Sequence, residues 1–181
     1  MHKDYAVWAS RWRVPLGFVL AAAYLIVAQP SVVALVVGGA VSLAGLLLRA
    51  WSAGHLAKNQ RLATGGPYSH TRNPLYLGSG LLGLGFAIAG RSWIMGVGFA
   101  AFFVLVYGPV MNREAQFLRR EFPEAFEQYA KQVPLFLPKL SRMPGGNEKF
   151  LRRLYLKNRE YEAAAGYVAG MVFLAIKMWL R

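Results

Sequence analysis

The amino-acid sequence predicts an all-α, polytopic transmembrane helical bundle of about five membrane helices. The 181 residues are 56% hydrophobic and only 16% charged, which is too apolar for an ordinary soluble domain of this size. Trp and Tyr residues, which concentrate at membrane–water interfaces, flank the uncharged runs and extend the shorter ones toward the ~20 residues of a full crossing. There are five such runs: residues 14–28, 31–48, 75–90, 92–111 and 163–176.

The first two runs predict a helical hairpin. The first helix covers about residues 14–28, and the turn at residues 29–31 contains a proline that ends it and a serine, Ser31, that can cap the next helix. The second helix then continues to about residue 54. Small residues recur along it every four positions, which favours close helix packing. They are Ala34, Gly38 and Ser42.

A polar connection over residues 55–74 leads to a third helix at residues 75–89, and a fourth follows at about residues 93–111. The third helix is unusually rich in glycine. Two interpretations stay open: close packing of its backbone against a neighbouring helix, or room for a ligand or lipid chain. The glycines are Gly78, Gly80, Gly83 and Gly85.

Residues 112–133 have apolar side chains at three- and four-residue steps among charged ones, which predicts an amphipathic helix on the cytoplasmic side, divided at Pro123. Residues 134–138 are apolar and extended, and we expect them in the membrane interface. Asn147 is positioned to cap one long final helix with a basic first half. We therefore divide the chain into a membrane core, residues 1–140, and a basic amphipathic segment with a C-terminal transmembrane helix, residues 141–181.

The net charge of +13 is distributed unevenly. If every apolar run crosses the membrane, all but three of the 21 basic residues fall on one face; the exceptions are Arg91, Lys177 and Arg181. Cytoplasmic edges carry an excess of Lys and Arg, so this asymmetry predicts a cytoplasmic N-terminus and a surface attracted to anionic lipid. It explains the charge better than nucleic-acid binding does, and we expect no nucleic-acid partner.

The inventory of reactive groups is small. The chain has no cysteine, and its three histidines lack metal-ligand spacing, so we expect no metal site. No nucleophile elbow or phosphate-binding glycine loop is present in the sequence. Most of the eight acidic residues, Glu160 among them, are expected on solvated helix faces.

Two residues stand out from this inventory. Arg72 precedes Asn73-Pro74, where proline stiffens the turn. Glu114 directly follows a membrane helix, and an ionisable residue at that depth is a functional candidate, although an ion pair with Arg113 is an equal alternative. If Arg72 and Glu114 converge, they form a site for a ligand that carries both a carboxylate and an ammonium group.

Two sequence blocks carry a family resemblance. The first block is Gly66-Pro67-Tyr68 followed by Arg72-Asn73-Pro74-x-Tyr76-x-Gly78. The second block is Glu114-x-x-x-Leu118-x-x-x-Phe122-Pro123-x-x-Phe126-x-x-Tyr129-x-x-x-Val133-Pro134-x-Phe136-x-Pro138. Both blocks resemble the signatures of the isoprenylcysteine carboxyl methyltransferase and phospholipid methyltransferase group. The resemblance covers about residues 47–138. It implies an integral membrane enzyme that uses S-adenosylmethionine, with an active site that faces the cytoplasm.

The resemblance also implies site residues, to which we add His70 and Arg113, neighbours of the matched motif positions. The candidate catalytic residues are Arg72, Arg113 and Glu114. The candidate cofactor-binding residues are Tyr68, His70, Arg72, Asn73, Pro74, Tyr76, Glu114, Leu118 and Tyr129. The chain departs from the family pattern where Asn73 replaces histidine, Ala115 replaces a second glutamate, Pro123 replaces glycine and Phe126 replaces tyrosine.

The resulting functional hypothesis is methyl transfer to a lipid or lipidated acceptor, a carboxylate or an amine, that enters from the bilayer. Alternatives are a non-catalytic lipid-binding or scaffold module of the same fold, or a related membrane reductase. Gly166 and Gly170 form a helix-pairing motif that makes a homodimer possible.

Overall fold

The computed structural model describes residues 2–58, 60–144 and 148–181, and within these ranges it contains helices and no strand. This confirms the all-α bundle. The helices are α1 His2–Val27, α2 Val32–Ala53, α3 Pro74–Ala89, α4 Trp93–Glu121, α5 Pro123–Gln132, α6 Arg152–Lys157 and α7 Tyr161–Trp179. A short 3₁₀ turn, Gly66–Ser69, lies in the connection between α2 and α3.

Four helices, α1, α2, α4 and α7, are long and apolar enough to cross a membrane. The remaining predicted membrane helix, α3, has only 16 residues. At 1.5 Å per residue it is about 24 Å long, which is shorter than a hydrocarbon core of about 30 Å. Large apolar side chains on these helices point outward; Phe18 is 73% exposed and Trp93 is 77% exposed. Such surfaces fit a lipid environment, and the chain is an integral membrane protein.

Helices α2 and α3 pack backbone to backbone. A Cβ atom added at Gly38 would lie 2.4 Å from the Gly85 carbonyl oxygen, and one at Gly45 would lie 2.6 Å from that of Gly78. The Ser42 hydroxyl donates to the Leu82 carbonyl at 3.0 Å between these contacts. The prediction of close packing along α2 is therefore confirmed, and Gly78 and Gly85 of α3 allow the two backbones to approach each other closely.

Helix α4 is longer than the sequence pattern predicted. The amphipathic segment expected to begin at residue 112 continues the membrane helix without a break, through a π-helical stretch at Phe103–Tyr107. The helix ends at Glu121, the next residue, Phe122, leaves the helical conformation with a φ of −134°, and α5 begins at Pro123 as expected. The consequence is that Glu114 projects from a rigid extension of a membrane-spanning helix.

The single long C-terminal helix expected from the sequence is wrong, because the chain forms two helices, α6 and α7. Arg159 lies between them at a φ of 57°. The Asn158 side chain donates to the carbonyl oxygens of Ala53 and Leu56, both at 3.0 Å, and this binding to the end of α2 interrupts the helix. The expected cap, Asn147, lies outside the described residues.

Candidate functional site

A cavity of about 980 Å³ lies at the ends of the membrane helices. Its walls come from α1, α3 and α4, from the end of α2 and the connection between α2 and α3, from α5 with the segment after it, and from the residues just before α7. The lining includes Lys58 and Arg61 of the connection, and also Gly17, Phe18 and Ala21 in the apolar part of α1. The cavity therefore joins a basic polar surface to the lipid-exposed side of α1.

The turn that carries Arg72 is fixed to the extended segment after α5. Three successive residues of the turn donate to three successive carbonyl oxygens: Thr71 Oγ1 to Phe136 at 2.8 Å, Arg72 N to Pro134 at 2.9 Å and Asn73 Nδ2 to Leu135 at 2.9 Å. Residues 134–136 thus lie against this turn. The Asn73 side chain is thus hydrogen-bonded to this segment and holds the turn in place next to Arg72.

The Arg72 guanidinium lacks a full set of partners. Its Nε is buried and has no hydrogen-bond partner among the residues that the structure describes. The guanidinium lies 5.9 Å from the centroid of the Phe126 ring, within the range of a cation–π contact. A buried polar atom without a partner is costly, so the position suits an anionic group supplied by a ligand.

Glu114 lies on the same cavity wall, on the extension of α4. Its Oε1 accepts a hydrogen bond from the Tyr76 hydroxyl at 2.8 Å. Arg113 instead donates to the Ser10 hydroxyl of α1 at 2.9 Å. Among the side chains of residues 5–58, 60–144 and 148–181 Glu114 forms no ion pair, so the ion-pair alternative with Arg113 is not what the structure shows.

Two buried tyrosines close the side of the cavity next to α5. The Tyr129 hydroxyl donates to the Tyr68 carbonyl at 2.7 Å. Burial raises the pKa of Tyr68 and also that of Tyr129. Because the ordinary pKa of a tyrosine is already about 10, both phenols stay protonated at neutral pH. They can shape the wall and donate hydrogen bonds, but they cannot act as bases there.

The structure brings nearly all sequence-predicted site residues to this one cavity. His70 does not line it; its Nδ1 lies 2.8 Å from the Lys139 carbonyl oxygen and the ring ties the turn to the segment after α5. The candidates on the cavity wall are Tyr68, Arg72, Asn73, Pro74, Tyr76, Arg113, Glu114, Leu118 and Tyr129.

Sequence reasoning missed a second polar cluster on the wall. Glu160 is only 8% exposed and accepts from Arg49 Nε at 3.0 Å and from its Nη2 at 2.8 Å; Arg49 also donates to Ser79. The interpretation of Glu160 as a solvated residue is therefore wrong, because the break before α7 turns its side chain toward α2. The signal was Arg49 itself, a lone charge near the end of an apolar helix.

The described part of the chain has no group of three or more His, Asp or Glu side chains that could hold a metal ion.

Comparisons with known proteins agree with this architecture. A family model described as "Phospholipid methyltransferase" matches residues 33–125, just over half of the chain. No solved structure matches.

Two curated proteins are similar to the chain over about half its length. The chain is 41% identical over 101 residues to "Cobalt-zinc-cadmium resistance protein CzcN" of Cupriavidus metallidurans, covering 54% of this chain and 45% of that protein. It is 39% identical over 97 residues to "Nickel-cobalt-cadmium resistance protein NccN" of Alcaligenes xylosoxydans xylosoxydans, covering 51% and 44%. The aligned part thus spans less than half the length of these relatives. The family match runs from α2 to the start of α5 and includes the arginine turn and Glu114, although α1 and the later parts of the cavity wall lie outside it. Because it covers more than half of the chain, the chain belongs to the phospholipid methyltransferase family.

Proposed function

We propose that the chain is a membrane methyltransferase that transfers a methyl group from S-adenosylmethionine to a lipid or lipidated acceptor. Family membership supports the reaction class. The observation that carries the proposal is one cavity whose wall holds both Arg72, with its buried unpartnered Nε, and the carboxylate of Glu114. By the charge asymmetry of the sequence, this cavity faces the cytoplasm.

The residues present fit this cofactor. Its amino-acid end carries a carboxylate and an ammonium group, which match Arg72 and Glu114 respectively. The volume of about 980 Å³ lies at the upper end of the roughly 300–1,000 Å³ range of small-molecule sites, which leaves space for an acceptor beside the cofactor. When bound, S-adenosylmethionine supplies an electrophilic methyl group.

In this proposal the protein contributes mainly binding and orientation. Arg72, fixed through its backbone to Pro134, holds the carboxylate, and Glu114, oriented by the Tyr76 hydroxyl, holds the ammonium group or ribose. Leu118 and the neutral phenols of Tyr68 and Tyr129 exclude water from the methyl group. A carboxylate acceptor needs no base, whereas an amine acceptor must lose a proton to a nearby carboxylate or to water.

The acceptor enters from the bilayer. The cavity wall includes Val14, Gly17, Phe18 and Ala21 of α1, which lie within a membrane-spanning segment. Phe18 is largely exposed outside the protein, so lipid chains reach this part of the wall directly. None of the glycines of α3 lines the cavity, which favours packing over ligand space for those residues.

A second candidate is a membrane component of metal resistance that does not transfer methyl groups. The names of the two relatives favour it, and so do the departures at Asn73 and Ala115. Cells that express the wild-type chain or Arg72→Ala separate the two candidates. If cells expressing Arg72→Ala gain as much tolerance to cobalt, zinc or cadmium as cells expressing the wild-type chain, this would support a role that does not need the proposed cofactor site.

The experiment that tests the proposal is mass spectrometry of membrane lipids incubated with purified full-length protein and deuterated-methyl S-adenosylmethionine. We expect a lipid-soluble product heavier by one or more labelled methyl groups, absent with Arg72→Ala and present with the surface variant Arg142→Ala. Absence of any labelled product with wild-type protein, or nicotinamide-dependent turnover instead, would refute methyl transfer.

A further inference from the structure

A smaller pocket, separate from the candidate active site, lies where the connection after α2 meets α6. Its volume is about 430 Å³. Arg61, Arg153 and Lys157 surround it together with Gln60, and Ala57 and Leu154 form a buried apolar floor. The pocket thus combines three cations and an amide donor with an apolar base.

These cations are not neutralised by the protein. No acidic residue lines the pocket, and the ion pairs found in residues 2–58, 60–144 and 148–181 all involve other side chains. Arg153 and Lys157 are four residues apart on α6, and like charges at this spacing destabilise a helix. A bound anion would relieve this repulsion.

The pocket lies at the level where a membrane surface is expected. It follows the end of α2 at Ala53 and precedes the start of α7 at Tyr161, both membrane-spanning helices. The Leu151 backbone donates to the Gly54 carbonyl at 2.9 Å, which fixes α6 beside the end of α2. Basic pockets between membrane helices on the cytoplasmic side are suited to lipid headgroups.

We propose that this pocket binds a phosphate group, that of an anionic phospholipid in the surrounding membrane. The three cations and Gln60 bind the phosphate oxygens, and the floor contacts the first carbons of the lipid. Arg61 also lines the larger cavity, so the bound lipid lies next to the candidate active site. The proposal does not depend on methyl transfer.

The test is native mass spectrometry of the full-length protein in detergent, titrated with dioctanoyl phosphatidylglycerol and, separately, with zwitterionic dioctanoyl phosphatidylcholine. The site variant is Arg153→Gln with Lys157→Gln, and neither residue lines the larger cavity. The control is Lys131→Gln with Arg142→Gln, two exposed cations elsewhere, which removes the same charge. All four side chains are exposed, and circular dichroism checks that each variant folds.

We expect saturable binding of phosphatidylglycerol in preference to phosphatidylcholine. Each basic residue near an anionic lipid contributes about a fivefold gain in affinity. The site variant lacks two of them, so it should bind phosphatidylglycerol roughly thirtyfold more weakly than the wild-type protein. The control variant should bind it no more than a few-fold more weakly than the wild-type protein. Equal losses in the two variants would show a general effect of net charge and overturn the proposal, as would equal binding of the two lipids.

Competition identifies the source of the phosphate. Failure of 10 mM glycerol phosphate to displace the lipid supports a membrane lipid as the ligand. Displacement by glycerol phosphate or inorganic phosphate at concentrations comparable to the lipid would overturn the lipid assignment and show a site for soluble phosphate compounds.

Discussion

Replacement of Glu160 by alanine should destabilise the protein strongly, because it leaves the Arg49 guanidinium without its carboxylate. Glu160 is 8% exposed, Arg49 is 23% exposed, and two hydrogen bonds of 2.8 and 3.0 Å join them. Loss of one partner of a buried pair costs about 3–5 kcal/mol. Since Arg49 keeps some exposure, we expect a loss near the lower end, about 3 kcal/mol.

The assay is reversible unfolding of the full-length protein in mixed micelles, followed by circular dichroism. Glu162→Ala is the matched control: it removes a carboxylate two residues further along the chain, but the Arg159–Glu162 pair is exposed, with 55% of the Glu162 side chain accessible. Such pairs contribute about 0–1 kcal/mol. The double variant Arg49→Met with Glu160→Leu removes both charges and should recover most of the stability, because apolar replacement of a buried pair is often neutral.

Two results would refute this reasoning. If Glu160→Ala costs no more than Glu162→Ala, the pair is effectively solvated and does not hold α7 to α2. If the double variant is as unstable as Glu160→Ala, the loss comes from packing around Glu160 and not from the unpaired charge of Arg49.

Three further predictions concern single contacts. Gly45→Val should prevent tight packing of α2 on α3, since a Cβ there meets the Gly78 carbonyl at 2.6 Å; we expect loss of folded protein on size exclusion, whereas Gly166→Ala, which places its Cβ in open space, should fold normally. Asn158→Ala removes two hydrogen bonds to the end of α2 and should lower the free energy of unfolding by about 1–3 kcal/mol; no change in the unfolding midpoint would contradict this. Tyr76→Phe removes the donor to Glu114 and should weaken S-adenosylmethionine binding roughly tenfold in calorimetry; unchanged affinity would show that this hydrogen bond does not prepare the site.

The membrane helices were predictable from the sequence because lipid exposure requires long uncharged runs, and the small-residue stripe through Gly38 and Ser42 indicated which faces pack. The breaks were harder to predict. The end of α6 depends on Asn158 binding the end of α2, a contact between residues about one hundred positions apart. Local sequence does not encode such a contact, so one long helix was the simplest expectation. The division at residue 140 stays a prediction.

The candidate site was predictable where short motifs carry it. Arg72 and Glu114 were chosen from separate blocks, and both lie on one cavity. The sequence did not indicate that His70 faces the Lys139 carbonyl instead of the cavity, since neighbours in a tight turn can point in opposite directions. It also did not reveal the contribution of α1, where Ser10 and Arg13 line the wall, because charges near a helix start are expected on topological grounds alone.

Binding of labelled S-adenosylmethionine to the full-length protein in nanodiscs tests the central claim most directly. The account predicts saturable binding that weakens at least about tenfold in Arg72→Ala and in Glu114→Ala, as expected for loss of a hydrogen bond to a charged group, while the exposed variants Arg142→Ala and Glu124→Ala bind like wild type. No binding by the wild-type protein, or equal affinity in all five proteins, would contradict it.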